Sequence, residues 1–204
     1  MIYIDDQIDD FDLGSALNDI SGQRREQALK FKFELGQRQC VLAYLLLKKA
    51  LCEEYGITEN PLFEYSEHGK PFIMGHPEIH FNLSHCREAV ACAVGDHPVG
   101  IDVECIREYK DSLARYTMND EELRQIAAAD RSDVAFIRLW TMKEALLKLT
   151  GRGISENMKT VLADAADYRF TIVECRERGY IYSVCYPKDM LFSRSVECMG
   201  NKRT

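Results

Sequence analysis

The sequence predicts an α+β protein made of two similar halves, residues 1–98 and residues 99–204. In each half a helical stretch is followed by short β-rich runs, so the order of elements repeats along the chain. The boundary between the halves is expected near residues 95–100. No residue-level repeat accompanies this order, so the similarity of the halves rests on the order of elements alone.

The first half is predicted to begin with a short strand over residues 1–4. A long helical stretch over residues 21–55 follows, with an interruption near Gly36, because Leu42, Leu45, Leu46 and Lys49 recur at helical spacing. Short runs separated by Gly, Pro, His and Asp then predict strands, in the order FEYS, PFIM, IHFNLS, AVACAV and VGIDVE.

The second half continues with predicted helices over residues 119–128 and 131–150. Two β-rich runs, residues 168–175 and 180–186, complete the predicted elements. The last fifty residues, roughly, carry no motif that indicates a function.

Composition and charge limit the classes of function. The chain of 204 residues is 46% apolar and 29% charged, which is typical of a globular protein. Its formal charge of −7 disfavours broad binding to nucleic acid or to anionic lipid, because both need a basic surface. Any anionic ligand must therefore be held by a local basic cluster.

The cysteine pattern and the amino-terminal segment predict a cytoplasmic protein. Eight cysteines are scattered without a C-x-x-C pair, as is usual where thiols stay reduced. The first twelve residues, MIYIDDQIDDFD, are acidic where a targeting peptide would be basic. The longest apolar run, residues 40–47, is too short to span a bilayer, so no membrane association is expected.

The run VGIDVE contains two closely spaced carboxylates. As a strand it would bury Val99, Ile101 and Val103 on one face and present Gly100, Asp102 and Glu104 on the other. The Cα atoms of the two acids would lie roughly 6–7 Å apart, which allows both to reach one divalent cation. An ordinary solvated acidic face is the alternative.

A second motif, WTMKEALLKLTGRG, is a predicted helix. Trp140, Glu144 and Lys148 follow one another at intervals of four residues, so Glu144 and Lys148 share a helix face. The pair can be an ion pair worth about 0.2–0.5 kcal/mol. Alternatively, Glu144 serves a metal or a substrate hydroxyl and Lys148 contacts a phosphate oxygen.

The runs HGKPFI and IHFNLSH add basic and hydroxyl groups. Lys70 lies in a turn before Pro71, where it either is solvated or holds a ligand. In the second run, Ser84 is expected to point away from the core and His85 ends the strand. Upstream basic residues form either a solvated helix face or part of an anion site: Arg24, Arg25, Lys30 and Arg38.

Taken together and in this order, GKP, FNLSH, VGIDVE and WTMKEALLKLTGRG resemble the 4′-phosphopantetheinyl transferase superfamily, in its larger, monomeric, Sfp-like branch. The resemblance covers residues 21–153. It implies two pseudo-symmetric α+β halves with the active site in the cleft between them. It also implies transfer of the 4′-phosphopantetheine group from coenzyme A to a serine of an apo acyl or peptidyl carrier protein, with release of 3′,5′-ADP.

The resemblance assigns roles to individual residues. It implies that Mg²⁺ is held by Asp102, Glu104 and Glu144, and that Asp102, Glu144 and Lys148 are the catalytic residues. It further implies that coenzyme A is bound by Arg24, Arg38, Lys70, Pro71, Ser84, His85 and Lys148. Glu121 falls where similar proteins carry another acid near the metal. Gln27 stands where related proteins often have a lysine, so the basic grip on the 3′-phosphate is either weaker or supplied by Arg25 or Lys30.

The chemistry of such a transfer suits these residue types. Carboxylate-bound Mg²⁺ and a lysine neutralise charge that develops on the phosphates, and the serine hydroxyl needs a base. Glu144 and metal-bound hydroxide or water both remain candidates for that base. Alanine at Asp102 is expected to abolish transfer and to leave the fold intact, on the premise that a carboxylate on a strand face contributes little packing.

Three other functions stay open. The first is a non-catalytic module of the same fold that binds coenzyme A or a metal. The second is a Mg²⁺-dependent transferase or hydrolase of a small pyrophosphate compound, and the third is a structural domain. The identity of the carrier, from fatty-acid, polyketide or peptide synthesis, is equally open.

Overall fold

The computed structural model describes residues 1–67, 69–151, 157–190 and 196–198. Over these residues the chain forms six α-helices, one 3₁₀ turn (Arg176–Arg178) and nine strands. The helices are α1 (Leu13–Asp19), α2 (Gly22–Leu29), α3 (Glu34–Tyr55), α4 (Asp111–Thr117), α5 (Asp120–Ala128) and α6 (Ser132–Thr150). The strands are β1 (Ile2–Asp5), β2 (Phe63–Tyr65), β3 (Pro71–Ile73), β4 (His80–His85), β5 (Val90–Gly95), β6 (Gly100–Cys105), β7 (Tyr168–Cys175), β8 (Tyr180–Pro187) and β9 (Val196–Cys198).

The first of two layers consists of a sheet and the helix α3, and most of it comes from the amino-terminal part of the chain. Strands β4, β5, β1 and β9 form a sheet in that order, and α3 packs against its first three members. The apolar side of α3, including Leu42 and Leu46, is fully buried against this sheet. Strands β2 and β3 form a separate short hairpin.

The second layer places α6 on an antiparallel sheet of order β6, β8, β7. Gly100 at the start of β6 shows how closely the helix approaches. A Cβ atom built there would lie 1.9 Å from the carbonyl oxygen of Ala145 and 2.7 Å from the amide nitrogen of Leu149. No side chain fits in that space, so the helix backbone rests directly on the strand.

The face of β6 that carries Gly100 and Asp102 was predicted to be open, and this prediction is wrong. Gly100 and Asp102 are both buried, and only Glu104 is partly exposed. Period-2 alternation identifies a strand with one buried face, but it cannot show that a helix covers the other face as well.

Side chains of β4 join the two layers. The amide nitrogen of Ile101 donates to Asn82 Oδ1 (3.3 Å), and that of Val103 donates to Ser84 Oγ (3.2 Å). Two side chains on the polar face of β4 thus accept hydrogen bonds from backbone amides of β6, and in both pairs the partners are 19 residues apart in the sequence. This connection brings FNLSH and VGIDVE together in space.

The α+β class is confirmed, and each predicted strand and helix has a counterpart. Two short helices, α1 and α4, were not predicted. The break in the first helical stretch lies at residues 30–33 rather than near Gly36, which belongs to α3. The glycine is needed because a Cβ there would approach Phe31 Cδ1 to 2.8 Å.

Strand β9 pairs in parallel with β1, so a segment from the second half completes the first sheet. The division at residues 98 and 99 and the pseudo-symmetry of the halves stay predictions. Of the sequence motifs, His68 in HGKPFI and Arg152 and Gly153 in WTMKEALLKLTGRG lie outside the described residues.

The described cysteines, residues 40, 52, 86, 92, 105, 175 and 185, are free thiols. Among the described helices, none combines the length and the apolar character needed to cross a bilayer.

Candidate active site

A cleft of about 510 Å³ lies between the two layers. Helices α2 and α3 and strands β2 to β4 line one side, and the carboxyl-terminal part of α6 lines the other. Six of the residues singled out in the sequence line it: Arg24, Lys70, Pro71, His85, Glu144 and Lys148. Residues far apart in the sequence therefore meet at one site.

Lys148 connects the cleft to the carboxylates of β6. Its Nζ donates to Asp102 Oδ1 (2.7 Å) and to Ser84 Oγ (2.9 Å). Ser84 Oγ also donates to Asp102 Oδ1 (2.9 Å). These three side chains come from α6, β4 and β6, so the site requires both layers to be packed together.

Asp102 and Glu144 each have a carboxylate oxygen with unused bonding capacity. Asp102 Oδ2 and Glu144 Oε1 are buried and have no hydrogen-bond partner among the described residues. Burial and the nearby charge of Asp102 raise the pKa of Glu144, and the same two causes raise the pKa of Glu104. Three mutually repelling carboxylates with two unpaired buried oxygens suit a divalent cation.

No group of three His, Cys, Asp or Glu side chains in the described ranges is already arranged as a complete metal site. Asp102 Oδ1 is instead bonded to the Lys148 ammonium. A cation between Asp102 and Glu144 would require the side chains to adjust. The unpaired oxygens show that the residue types and the burial fit such an ion.

Lys70 is not a solvated turn residue. Its Nζ donates to the carbonyl oxygen of Leu149 (2.7 Å), and burial lowers its pKa. The contact joins the β2–β3 hairpin to the carboxyl-terminal end of α6, where unpaired carbonyl groups favour a cation. Lys70 therefore helps to close one end of the cleft.

Arg24 and His85 line the cleft together with Lys148. The Arg24 guanidinium donates to the carbonyl oxygen of Cys40 through Nε (3.0 Å) and Nη2 (2.8 Å), and to Gln27 Oε1 (3.1 Å). Packing around the imidazole, together with the charges of Lys148 and Arg24, lowers the pKa of His85, although part of its surface is exposed. Neutral His85 beside two cations suits an anionic ligand.

Two residues named in the sequence lie away from this cleft. Arg38 pairs with Glu34 (2.8 Å) and donates to the carbonyl oxygen of Phe11 (2.9 Å). Glu121 is exposed and pairs with Arg124 (2.7 Å). The structure therefore does not bring either side chain together with the other candidate site residues.

Sequence reasoning missed Lys143, which precedes Glu144. Lys143 is fully buried, and its Nζ donates to Glu122 Oε2 (2.6 Å) and to the carbonyl oxygens of Thr117 (2.8 Å) and Met158 (2.7 Å). It fixes α6 to the start of α5 and to the chain at residue 158. The only signal was a lysine inside an otherwise apolar helix.

Aromatic residues of the cleft were also missed. Phe31, Phe63, Tyr65 and Phe81 line it, and the rings of Phe63 and Phe81 stack with centroids 5.4 Å apart. Their positions become visible only when the β2–β3 hairpin is folded onto α2 and α3. The cleft thus has an apolar wall beside its charged floor.

A cleft lined by basic residues, with buried carboxylates in and beside it, is typical of a class of proteins that bind phosphate-bearing ligands. Comparison with known proteins agrees with that class. Residues 98–186 match the family model described as the 4′-phosphopantetheinyl transferase superfamily. Over these residues the chain is similar to this superfamily, and it is also similar to the Sfp-like members.

Three relatives illustrate the similarity. A 4′-phosphopantetheinyl transferase of Bacillus pumilus is 36% identical over 147 residues, which are 71% of this chain and 63% of the relative. One of Aneurinibacillus migulanus is 33% identical over 75% of this chain and 65% of the relative. Sfp of Bacillus subtilis (strain 168) is 29% identical over 76% of this chain and 70% of the relative. The matched region spans a little less than two thirds of the first two relatives.

Proposed function

We propose that this protein transfers the 4′-phosphopantetheine group of coenzyme A to a serine of an apo acyl or peptidyl carrier protein and releases 3′,5′-ADP. The observation that carries the proposal is the contact of Lys148, which lines the basic cleft together with Glu144, with the buried carboxylate of Asp102. Relatives that share this region are named 4′-phosphopantetheinyl transferases, which supports the proposal.

Asp102, Glu104 and Glu144 are the residues that would hold Mg²⁺. The unpaired oxygens of Asp102 and Glu144 supply two buried ligands, and Glu104 lies close enough for the charge of Asp102 to raise its pKa. When bound, the ion would neutralise charge on the pyrophosphate of coenzyme A. The acidic cluster would then no longer repel the anionic substrate, because most of its charge is compensated.

The side chains of the cleft would have separate roles in binding and in catalysis. Lys148 would turn from Asp102 to the departing phosphate and stabilise its increasing negative charge. Arg24, His85 and Lys70 would position the adenine and 3′-phosphate end, and the aromatic wall would hold apolar parts of the ligand. Glu144 would accept the serine proton, because its carboxylate lines the cleft where the serine would arrive; metal-bound hydroxide or water is the alternative base.

We also infer that the protein acts as a monomer in the cytoplasm and does not depend on nucleic acid or on a membrane. The formal charge of −7 supports the last two points. The inference that the protein is monomeric is supported only by the two-layer architecture and by the similarity to the family.

Measurement of 3′,5′-ADP by liquid chromatography separates the candidate functions. Coenzyme A and Mg²⁺ are incubated with the protein, with and without an apo carrier protein. Release that requires the carrier supports transfer. Release without any carrier would indicate a hydrolase, whereas binding of coenzyme A without release on several carriers would indicate the non-catalytic module.

A further inference from the structure

Large apolar side chains are exposed together in one short segment between α2 and α3. In residues 29–35, LKFKFEL, the exposed fractions are 56% for Leu29, 40% for Phe31, 72% for Phe33 and 38% for Leu35. We call residues 29–35 the aromatic-lysine segment. Exposed apolar residues that occur singly need no explanation, but a contiguous group of this kind is typical of an interaction site.

The segment borders the cleft. Phe31 lines the cleft together with Gln27 and Tyr65, and Tyr65 is itself 52% exposed. The patch is therefore continuous with the apolar wall of the site. A partner bound there would lie beside the cleft opening.

The charge of the segment indicates the chemistry of that partner. Lys30 and Lys32 alternate with the apolar side chains, and neither pairs with a carboxylate in the described part of the chain; Lys32 Nζ lies 5.6 Å from the ring centroid of Phe33. Glu34 is already neutralised by Arg38. In a chain with a net charge of −7, this segment is a local basic and apolar surface.

A second copy of this chain is a poorer occupant. In a two-fold dimer the same patch would face itself, which would place Lys30 and Lys32 near their own symmetry mates. An acidic surface with apolar side chains complements the patch without this repulsion.

We infer that the aromatic-lysine segment docks the carrier protein through an acidic, partly apolar surface and so presents the acceptor serine to the cleft. This inference rests on the proposed function. It adds a binding surface beside the groups proposed to contact coenzyme A or the metal, and Phe31 belongs to both.

The test compares Phe33→Ser and Lys32→Ser with wild type in steady-state transfer assays. The control is Tyr116→Ser on α4, because Tyr116 is 76% exposed and lies outside the cleft lining. Each segment variant is expected to raise KM for the apo carrier about tenfold, with KM for coenzyme A and kcat unchanged. Tyr116→Ser should leave all three constants unchanged.

Salt dependence gives a second readout. KM of the wild type for the carrier should rise with ionic strength, and Lys32→Ser should reduce that slope because it removes one contributing charge. An unchanged carrier KM in both segment variants would overturn the docking inference, and so would a rise confined to Tyr116→Ser. A wild-type dimer that Phe33→Ser converts to a monomer would also overturn it, in favour of a second copy.

Failure of the proposed function is distinguishable from failure of docking. If wild type modifies no carrier, the proposed function fails, and direct binding of immobilised apo carrier to wild type and to Phe33→Ser then tests the surface alone. Equal binding of the two proteins, or binding by neither, would overturn the docking inference.

Discussion

The ammonium group of Lys148 lies 2.7 Å from Oδ1 of Asp102, and this contact joins α6 to β6. Ser84 of β4 bonds to both groups, so a residue from the first layer completes the contact. The two sequence motifs that carry carboxylates thus meet through a lysine and a serine. The predictions below depend on this arrangement and on the buried contacts that support it.

Replacement of Lys148 should reduce both catalysis and stability. Lys148→Met removes the cation proposed to stabilise the departing phosphate, and kcat for transfer should fall at least about 100-fold. It also leaves the buried carboxylate of Asp102 without its cation, so the thermal midpoint should fall, and kcat is measured at a temperature where the variant is folded. Arg138→Met, on the exposed side of the same helix, is the control and should retain full activity. A Lys148→Met protein with normal kcat would contradict the role of this lysine.

Mg²⁺ should stabilise the folded protein through the unpaired oxygens of Asp102 and Glu144. A ligand that binds only the native state raises its stability by about 2.7 kcal/mol at 100 times its Kd. We therefore expect Mg²⁺ with coenzyme A to raise the thermal midpoint of wild type, and expect Glu144→Gln to lose most of that increase. Mg²⁺-free and EDTA-treated samples serve as controls. An identical increase in Glu144→Gln would remove this residue from the cation site.

Gly100→Ala should destabilise the protein strongly. The new Cβ would meet the Ala145 carbonyl oxygen at 1.9 Å, and both groups belong to backbone that cannot move independently. We expect a loss of about 3 kcal/mol or more in the free energy of unfolding, measured by urea denaturation. Gly22→Ala is the matched control, because no heavy atom lies within 4 Å of its added Cβ. Equal stability of the two variants would disprove the close contact of α6 and β6.

Lys143→Met should destabilise the protein by about 3–5 kcal/mol, because it leaves Glu122 buried without its cation. Adding Glu122→Gln removes the uncompensated charge and keeps a side chain that can still cap α5. The double variant should therefore be more stable than Lys143→Met alone in the same urea titration. If the double variant loses the sum of the two single effects, the two residues do not interact as the structure indicates.

The sequence was informative where a pattern is local. Alternation in VGIDVE identified β6, and spacing in WTMKEALLKLTGRG identified α6 and the shared face of Glu144 and Lys148. The cover of α6 over Gly100 and Asp102 could not be predicted in the same way, because it depends on packing between distant segments. The premise that Asp102 lies on an open strand face was wrong for this reason: its side chain is buried and bonded to Ser84 and Lys148.

Contacts between distant segments also give different environments to basic residues that have the same predicted role. Arg24 and Arg38 both lie on the first helical block, yet only Arg24 lines the cleft, and Arg38 bonds to Phe11 and Glu34. The sequence left Lys70 either solvated or bound to a ligand, and it could not show that the hairpin places this lysine against the carboxyl end of α6. The sequence shows which side chains carry a positive charge and can bind an anion. It does not show which of these side chains lie close together in the folded protein.

The most direct test of the account is the intact mass of an apo acyl carrier protein after incubation with this protein, coenzyme A and Mg²⁺. We predict a mass gain equal to one phosphopantetheine group on the carrier, its disappearance when EDTA replaces Mg²⁺, and its loss with Glu144→Gln. An unmodified carrier mass with wild-type protein on several unrelated apo carriers, despite measured binding of coenzyme A, would contradict the proposed transfer.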